Sequence, residues 1–193
     1  MKTSSLITLF TALSVLAGCG QSGTSIPQGS AVQQVRAHRA SGSSGDLIYA
    51  TGGCLGTCVV SYPTGRLVQT LPVGGAGACA DAAGNVYISN GSTALYEYAH
   101  GGSTPIKAFT VSSGTVNGCA IDTQTGDVAV TGVLSDEYNV EIFPSAGGPT
   151  KGYALASGLG FCSYDNAGNL FVDGYSRQEL GLWELAKGSS QFT

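Results

Sequence analysis

The chain has 193 residues, 12 of them acidic and 8 basic, for a formal charge of −4, and only 10% of it is charged. That balance provides no clustered Lys and Arg to meet phosphates, so a nucleic-acid partner is not expected. The 30 glycines and nine tyrosines, with no apolar stripe of helical period beyond two turns after Cys19, imply turn-rich, half-buried strands and an all-β domain.

In chain order, residues 1–18 read as a leader: Lys2 supplies a positive start, Leu6 to Leu16 an apolar stretch, and Leu16-Ala17-Gly18-Cys19 a small-residue cleavage site ending in cysteine. This is the pattern of a bacterial lipoprotein signal. Cys19 is the expected lipidation site, since the lipid is attached to sulfur before cleavage frees the amine. The apolar run is too short to span a bilayer. Gly20 and Gln21 follow with no Asp to favour inner-membrane retention. The expected location is the cell envelope, in the outer membrane if the source has two membranes, with the lipid anchor as the contact with the membrane.

Residues 19–44 are rich in Gly, Ser and Gln and read as a flexible linker with a span on the order of 25–30 Å. Arg36, His38 and Arg39 are too few to anchor it to anionic lipid.

From residue 45 onward the sequence repeats. Gly118-Cys-Ala-Ile-Asp-Thr-Gln-Thr-Gly-Asp-Val-Ala-Val-Thr131 has cognates in Gly77 to Ser89 and Gly160 to Asp173, and a partial copy in Gly45 to Thr51. The turn glycines at 45, 84, 126 and 168 stand 39, 42 and 42 residues apart, a period typical of stacked supersecondary units. Each unit reads as a short first strand and an Asp-to-Gly turn (Asp81 and Gly84, Asp122 and Gly126, Asp165 and Gly168). An alternating second strand follows, because Gly supplies positive φ and Asp can bond the turn backbone. Third strands follow at Val59 to Tyr62, Leu95 to Tyr98, Val140 to Phe143 and Leu182 to Leu185, with fourth strands such as Leu67 to Leu71 and Pro105 to Phe109. Four short antiparallel strands per roughly 40 residues make one β-propeller blade. The expected blades are about 45–76, 77–116, 117–158 and 159–193.

The run Gly118-Cys-Ala-Ile-Asp followed by Gly126-Asp-Val-Ala-Val resembles the blade signature of NHL-repeat and gluconolactonase-like propellers. Tyr62-Pro-Thr-Gly-Arg-Leu-Val68 and Glu97-Tyr-Ala-His-Gly-Gly102 resemble most closely the blades of uncharacterised bacterial propeller lipoproteins. The resemblance covers about residues 45–193 and implies the fold, whereas propellers host many unrelated activities.

Only three clear first strands are visible, and Gln191-Phe-Thr193 begins a fourth strand. Three arrangements are open: four blades that close on themselves, copies that assemble, or an open arc of a longer propeller. The arc is the favoured expectation.

Cys79, Cys119 and Cys162 hold one position in three successive first strands and read as small buried apolar residues, too far apart for a shared metal. Cys54 and Cys58 flank a glycine turn and form a possible disulfide in an oxidising compartment, with two reduced thiols as the rival. The resemblance to gluconolactonase-like enzymes implies a divalent cation at the channel mouth, and Asn90, Asn117 and Asp173 are the weak candidates to hold it. Asp81, Asp122 and Asp165 read instead as turn closers. His38 and His100 have no nucleophile turn beside them, so no catalytic residue and no cofactor is nominated.

The favoured reading is a lipid-anchored envelope propeller acting as a non-catalytic binding or scaffold module for an unknown protein or carbohydrate. Tyr62, Tyr138, Tyr153 and Tyr175 are candidate surface aromatics. The alternatives are a metal-dependent lactonase-like hydrolase and a truncated copy of a longer propeller lipoprotein.

Overall fold

The computed structural model describes residues 45–111, 114–133, 139–155, 158–176 and 179–193. The leader, Cys19, the linker and Tyr138 lie outside these residues. The described residues form β-strands and no helix: β1 (Asp46–Thr51), β2 (Thr57–Tyr62), β3 (Leu67–Leu71), β4 (Ala78–Ala80), β5 (Val86–Ser89), β6 (Ala94–Tyr98), β7 (Pro105–Thr110), β8 (Thr115–Ile121), β9 (Val128–Val133), β10 (Val140–Phe143), β11 (Lys151–Tyr153), β12 (Leu159–Tyr164), β13 (Leu170–Ser176) and β14 (Glu179–Leu185). They build four antiparallel sheets in sequence order, β1-β2-β3, β4 to β7, β8 to β11 and β12-β13-β14. These are blades 1 to 4. Two have four strands; blades 1 and 4 have three, although in blade 4 Thr193 already exchanges both backbone hydrogen bonds with Glu184 of β14.

A propeller blade must be apolar on both faces, because each face packs on a neighbour. Strand β9 shows this: Val128 and Val130 pack toward blade 2 beside Tyr87 and Phe109, while Ala129 packs toward blade 4 beside Leu170 and Val172. The three interblade cores are built alike. Val59 and Leu71 of blade 1 meet Ile88 and Tyr98 of blade 2; Leu95 and Phe109 of blade 2 meet Val116 and Val130 of blade 3; Val140 and Ile142 of blade 3 meet Leu159 and Leu185 of blade 4. Three interfaces join four blades, so the ring is an open arc.

Blade 1 corrects the reading of its repeat. Aligning Gly45 with Gly84 places Leu47 where Val86 stands, yet the pairing is Asp46 with Tyr62 in blade 1 and Val86 with Tyr98 in blade 2. Asp46 therefore occupies the Val86 position, and the register is one residue off. A one-residue slip reverses every side chain. Leu47 and Tyr49 consequently pack toward blade 2 with Val59, and Ile48 points to the other side.

Candidate functional site

The first strands crowd together at their starts, and glycine is what lets them. A Cβ on Gly118 would stand 2.6 Å from Thr131 Oγ1, 2.8 Å from the Gly160 carbonyl oxygen and 2.9 Å from Phe161 Cα. One on Gly77 would lie 3.0 Å from Gly118 Cα, and one on Gly160 2.6 Å from Asp173 Oδ1. Gly77 and Gly118 thus each seat the backbone of the following blade, and Gly160 makes room for the Asp173 side chain of its own blade.

Close approach also explains two of the cysteines, and corrects the reading of Cys79 and Cys119 as separate small buried residues. Cys79 of β4 and Cys119 of β8 are joined by a disulfide across blades 2 and 3, their Cα atoms 5.7 Å apart. Cys162 is free, and burial pushes its thiol up to about 12, so it is a poor nucleophile at neutral pH. Cys54 and Cys58 are bonded, with Cα atoms 5.6 Å apart. The loop they close holds Leu55 at φ 57° with its side chain fully exposed. Left-handed backbone is uncommon for leucine.

The turns are held by their aspartates. Asp81 Oδ1 accepts the backbone N–H of Ala83 and Asn85, each at 2.9 Å, while Gly84 takes φ 86°. Asp165 repeats this with Ala167 and Asn169 at 2.8 Å, and Gly168 takes φ 86°. The Asn169 N–H bond is the main influence holding the Asp165 carboxyl below its ordinary range. Asp122 serves a turn one residue longer: its Oδ1 accepts Gln124 N–H at 2.9 Å, its Oδ2 accepts the Thr125 hydroxyl at 2.9 Å, and Gly126 takes φ 77°.

At the far end of each second strand the repeat places Ser89, Thr131 and Asp173 in one register position. The Ser89 hydroxyl oxygen accepts Gly77 N–H at 3.2 Å. Thr131 donates to the Gly160 carbonyl of the next blade at 2.8 Å, and Asp173 Oδ1 accepts Phe161 N–H at 2.6 Å. Thr131 is completely buried. Ser89 and Thr131 also show what Asp173 is: one of three polar clamps between second and first strands.

Asn117 Nδ2 donates to the Leu159 carbonyl at 3.1 Å, binding blade 3 to blade 4. Asn90 Oδ1 accepts the backbone N–H of Ser92 at 2.9 Å and Ala94 at 3.0 Å. Asn90, Asn117 and Asp173 are thus each committed to local backbone. Among the described residues no three His, Cys, Asp or Glu side chains gather around a cation position.

An open cleft of about 570 Å³ lies between blades 1 and 2, lined in part by Leu55, Pro72, Val73, Asn90, Tyr96 and Tyr98. Its lining side chains are mostly aliphatic and aromatic, with Asn90 as the one side-chain amide. Such a surface suits contact with a ligand face more than acid–base chemistry. Tyr62 and Tyr175 are also exposed, while Tyr153 packs edge-on against Phe192 with ring centroids 5.6 Å apart.

Antiparallel blades of three and four strands packed face to face, with their first strands converging, define a β-propeller arc. No family model matches the sequence, and no curated protein matches it. Among solved structures, the crystal structure of a nidogen/laminin complex is similar at a TM-score of 0.59 and 16% identity, over 76% of this chain and 59% of that one. That likeness is one of fold, and this chain spans less than two thirds of the matched chain's length.

Proposed function

We propose that this is a lipid-anchored propeller of the bacterial cell envelope that acts as a non-catalytic binding or scaffold module for a protein partner. The observation that carries the reading is the commitment of Asn90, Asn117 and Asp173 to backbone hydrogen bonds, while Leu55, Tyr62 and Tyr175 stand exposed on the same frame. A similar fold occurs in a nidogen/laminin complex, which supports protein binding as the use of such a frame. A lactonase-like alternative requires a cation at the channel mouth. Millimolar calcium or zinc is therefore expected to leave the melting temperature unchanged, since a ligand selective for the folded state would raise it. A rise of several degrees that disappears in Asn117→Ala refutes the non-catalytic reading.

The anchor rests on the Leu16-Ala17-Gly18-Cys19 sequence after a basic, apolar leader. Cells expressing the full chain with labelled palmitate should label it, and Cys19→Ala should abolish the label. Equal labelling of the two chains is the result that removes the anchor from the proposal.

A further inference from the structure

The two ends of the arc carry the two unmatched halves of one interface. On blade 4, Phe171 pairs across the sheet with Glu184, and Asp173 with Leu182, on the face turned away from blade 3. In blade 2 the same register positions hold Tyr87, paired with Glu97, and Ser89, paired with Leu95. There Tyr87 and Leu95 are buried against blade 3. Leu182 is 70% exposed, Leu180 on the same strand is 75% exposed, and Phe161 on β12 is 60% exposed.

Blade 1 has the complementary half. Its face away from blade 2 carries Ile48, paired with Val60, and Tyr62, paired with Asp46. The equivalent positions in blade 2 are Ile88, paired with Tyr96, and Tyr98, paired with Val86. Ile88 and Tyr98 are buried against blade 1. Ile48 and Tyr62 are 48% and 59% exposed, with Leu67 at 54% close by.

We infer that blade 4 of one copy packs on blade 1 of a second copy, continuing the interblade packing the chain already makes three times within itself. The occupant of each free face is this chain, because one chain presents both the face that blade 2 offers to blade 3 and the face that blade 2 offers to blade 1. The contact is heterologous, and such contacts close into rings when the rotation permits. Two copies make a ring of eight blades, within the usual range of four to eight. Three large side chains on the blade 1 face and four on the blade 4 face, each burying on the order of 100 Å², give roughly 700 Å² per contact. The ring makes that contact twice, and on the order of 1,400 Å² falls within the size of specific, stable interfaces. This inference does not depend on what the module binds, and its failure leaves the cation and palmitate tests untouched.

The test uses the full lipidated chain in density-matched non-ionic detergent, its mass read by sedimentation equilibrium. The wild type is expected to sediment as two copies at micromolar concentration. Leu182→Glu alone and Tyr62→Glu alone should each be monomeric, with self-association weakened at least tenfold. Co-expressed with different tags, these two variants should copurify as a two-copy species, because each retains the face that the other lacks. Leu180→Glu and Ile48→Glu replace either variant if it loses its strand circular dichroism. A monomeric wild type overturns the inference, as does a self-associating Tyr62→Glu, which would mean that like faces pair. Failure of the folded variants to copurify overturns it too.

Discussion

Replacing both Cys79 and Cys119 with alanine is expected to lower the unfolding free energy by about 2–4 kcal/mol. The bridge closes a sequence separation of 40 residues, for which chain entropy alone gives about 4 kcal/mol. Its half-cystines lie against the buried cluster that joins blades 2 and 3, so their loss also loosens packing there. The Cys54–Cys58 bridge closes a separation of only 4 residues, and its removal should cost about 2 kcal/mol by the same chain-entropy estimate. The ordering of the two effects is the discriminating quantity. Urea unfolding of the Cys19→Ala chain, followed by the fluorescence of Trp183, measures both pairs of substitutions. If the Cys54–Cys58 pair proves the more damaging, the bridge between blades is not holding the arc together. Domains of ordinary size are stable by only about 5–15 kcal/mol, so the loss at Cys79 and Cys119 is a large fraction of the whole.

The blade order and the all-β class were legible because the Asp-to-Gly turns are local chemistry. Asp81, Asp122 and Asp165 each bond N–H groups within five residues, so a short motif carries the whole geometry. What depends on neighbouring blades was less visible. The complete burial of Thr131 is one such feature, because alternation along β9 reports two faces without saying that both are covered. The partner of Thr131, the Gly160 carbonyl, is 29 residues away. The Cys79–Cys119 bridge was missed for the same reason: Cys79 pairs with Tyr87 and Cys119 with Val130, one register position apart, which turns the two thiols toward each other across blades 2 and 3 although the repeats look alike. The signal that could have revealed it was the glycine one or two residues before each cysteine (Gly77, Gly118 and Gly160), since a glycine recurring at the start of successive repeats marks a close backbone approach. Asp173 drew notice as a carboxylate near a strand end. Comparing it with Ser89 and Thr131 at the same repeat position would have identified a backbone clamp. In blade 1, the missing first-strand motif left Gly45 as the only guide to register, and glycine at a turn edge does not fix which face a strand presents.

Gly118→Ala is expected to destabilise the fold by about 1–3 kcal/mol, the range for overpacking a site that cannot move aside. The new methyl group would meet Thr131 Oγ1 at 2.6 Å, the Gly160 carbonyl oxygen at 2.8 Å and Phe161 Cα at 2.9 Å. Two of those three atoms belong to the backbone of blade 4, and the third is the hydroxyl that clamps blade 3 to it. A flexible side chain could swing away; a strand paired in its own sheet cannot do so without breaking its ladder. The one side chain that can give way is Thr131, whose rotation forfeits its 2.8 Å bond and strands a buried hydroxyl, at a further cost of order 1–3 kcal/mol. Gly53→Ala is the control: a Cβ there would find only Cys58 Sγ, at 3.9 Å, an ordinary contact. That substitution should change stability by less than about 0.5 kcal/mol. Trp183 belongs to the core between blades 3 and 4, so its emission reports the joint that Gly118→Ala disturbs. Equal unfolding midpoints for Gly118→Ala and Gly53→Ala would mean that the first strands of blades 3 and 4 do not meet backbone to backbone, and the packing of the arc described above would fail at its inner edge.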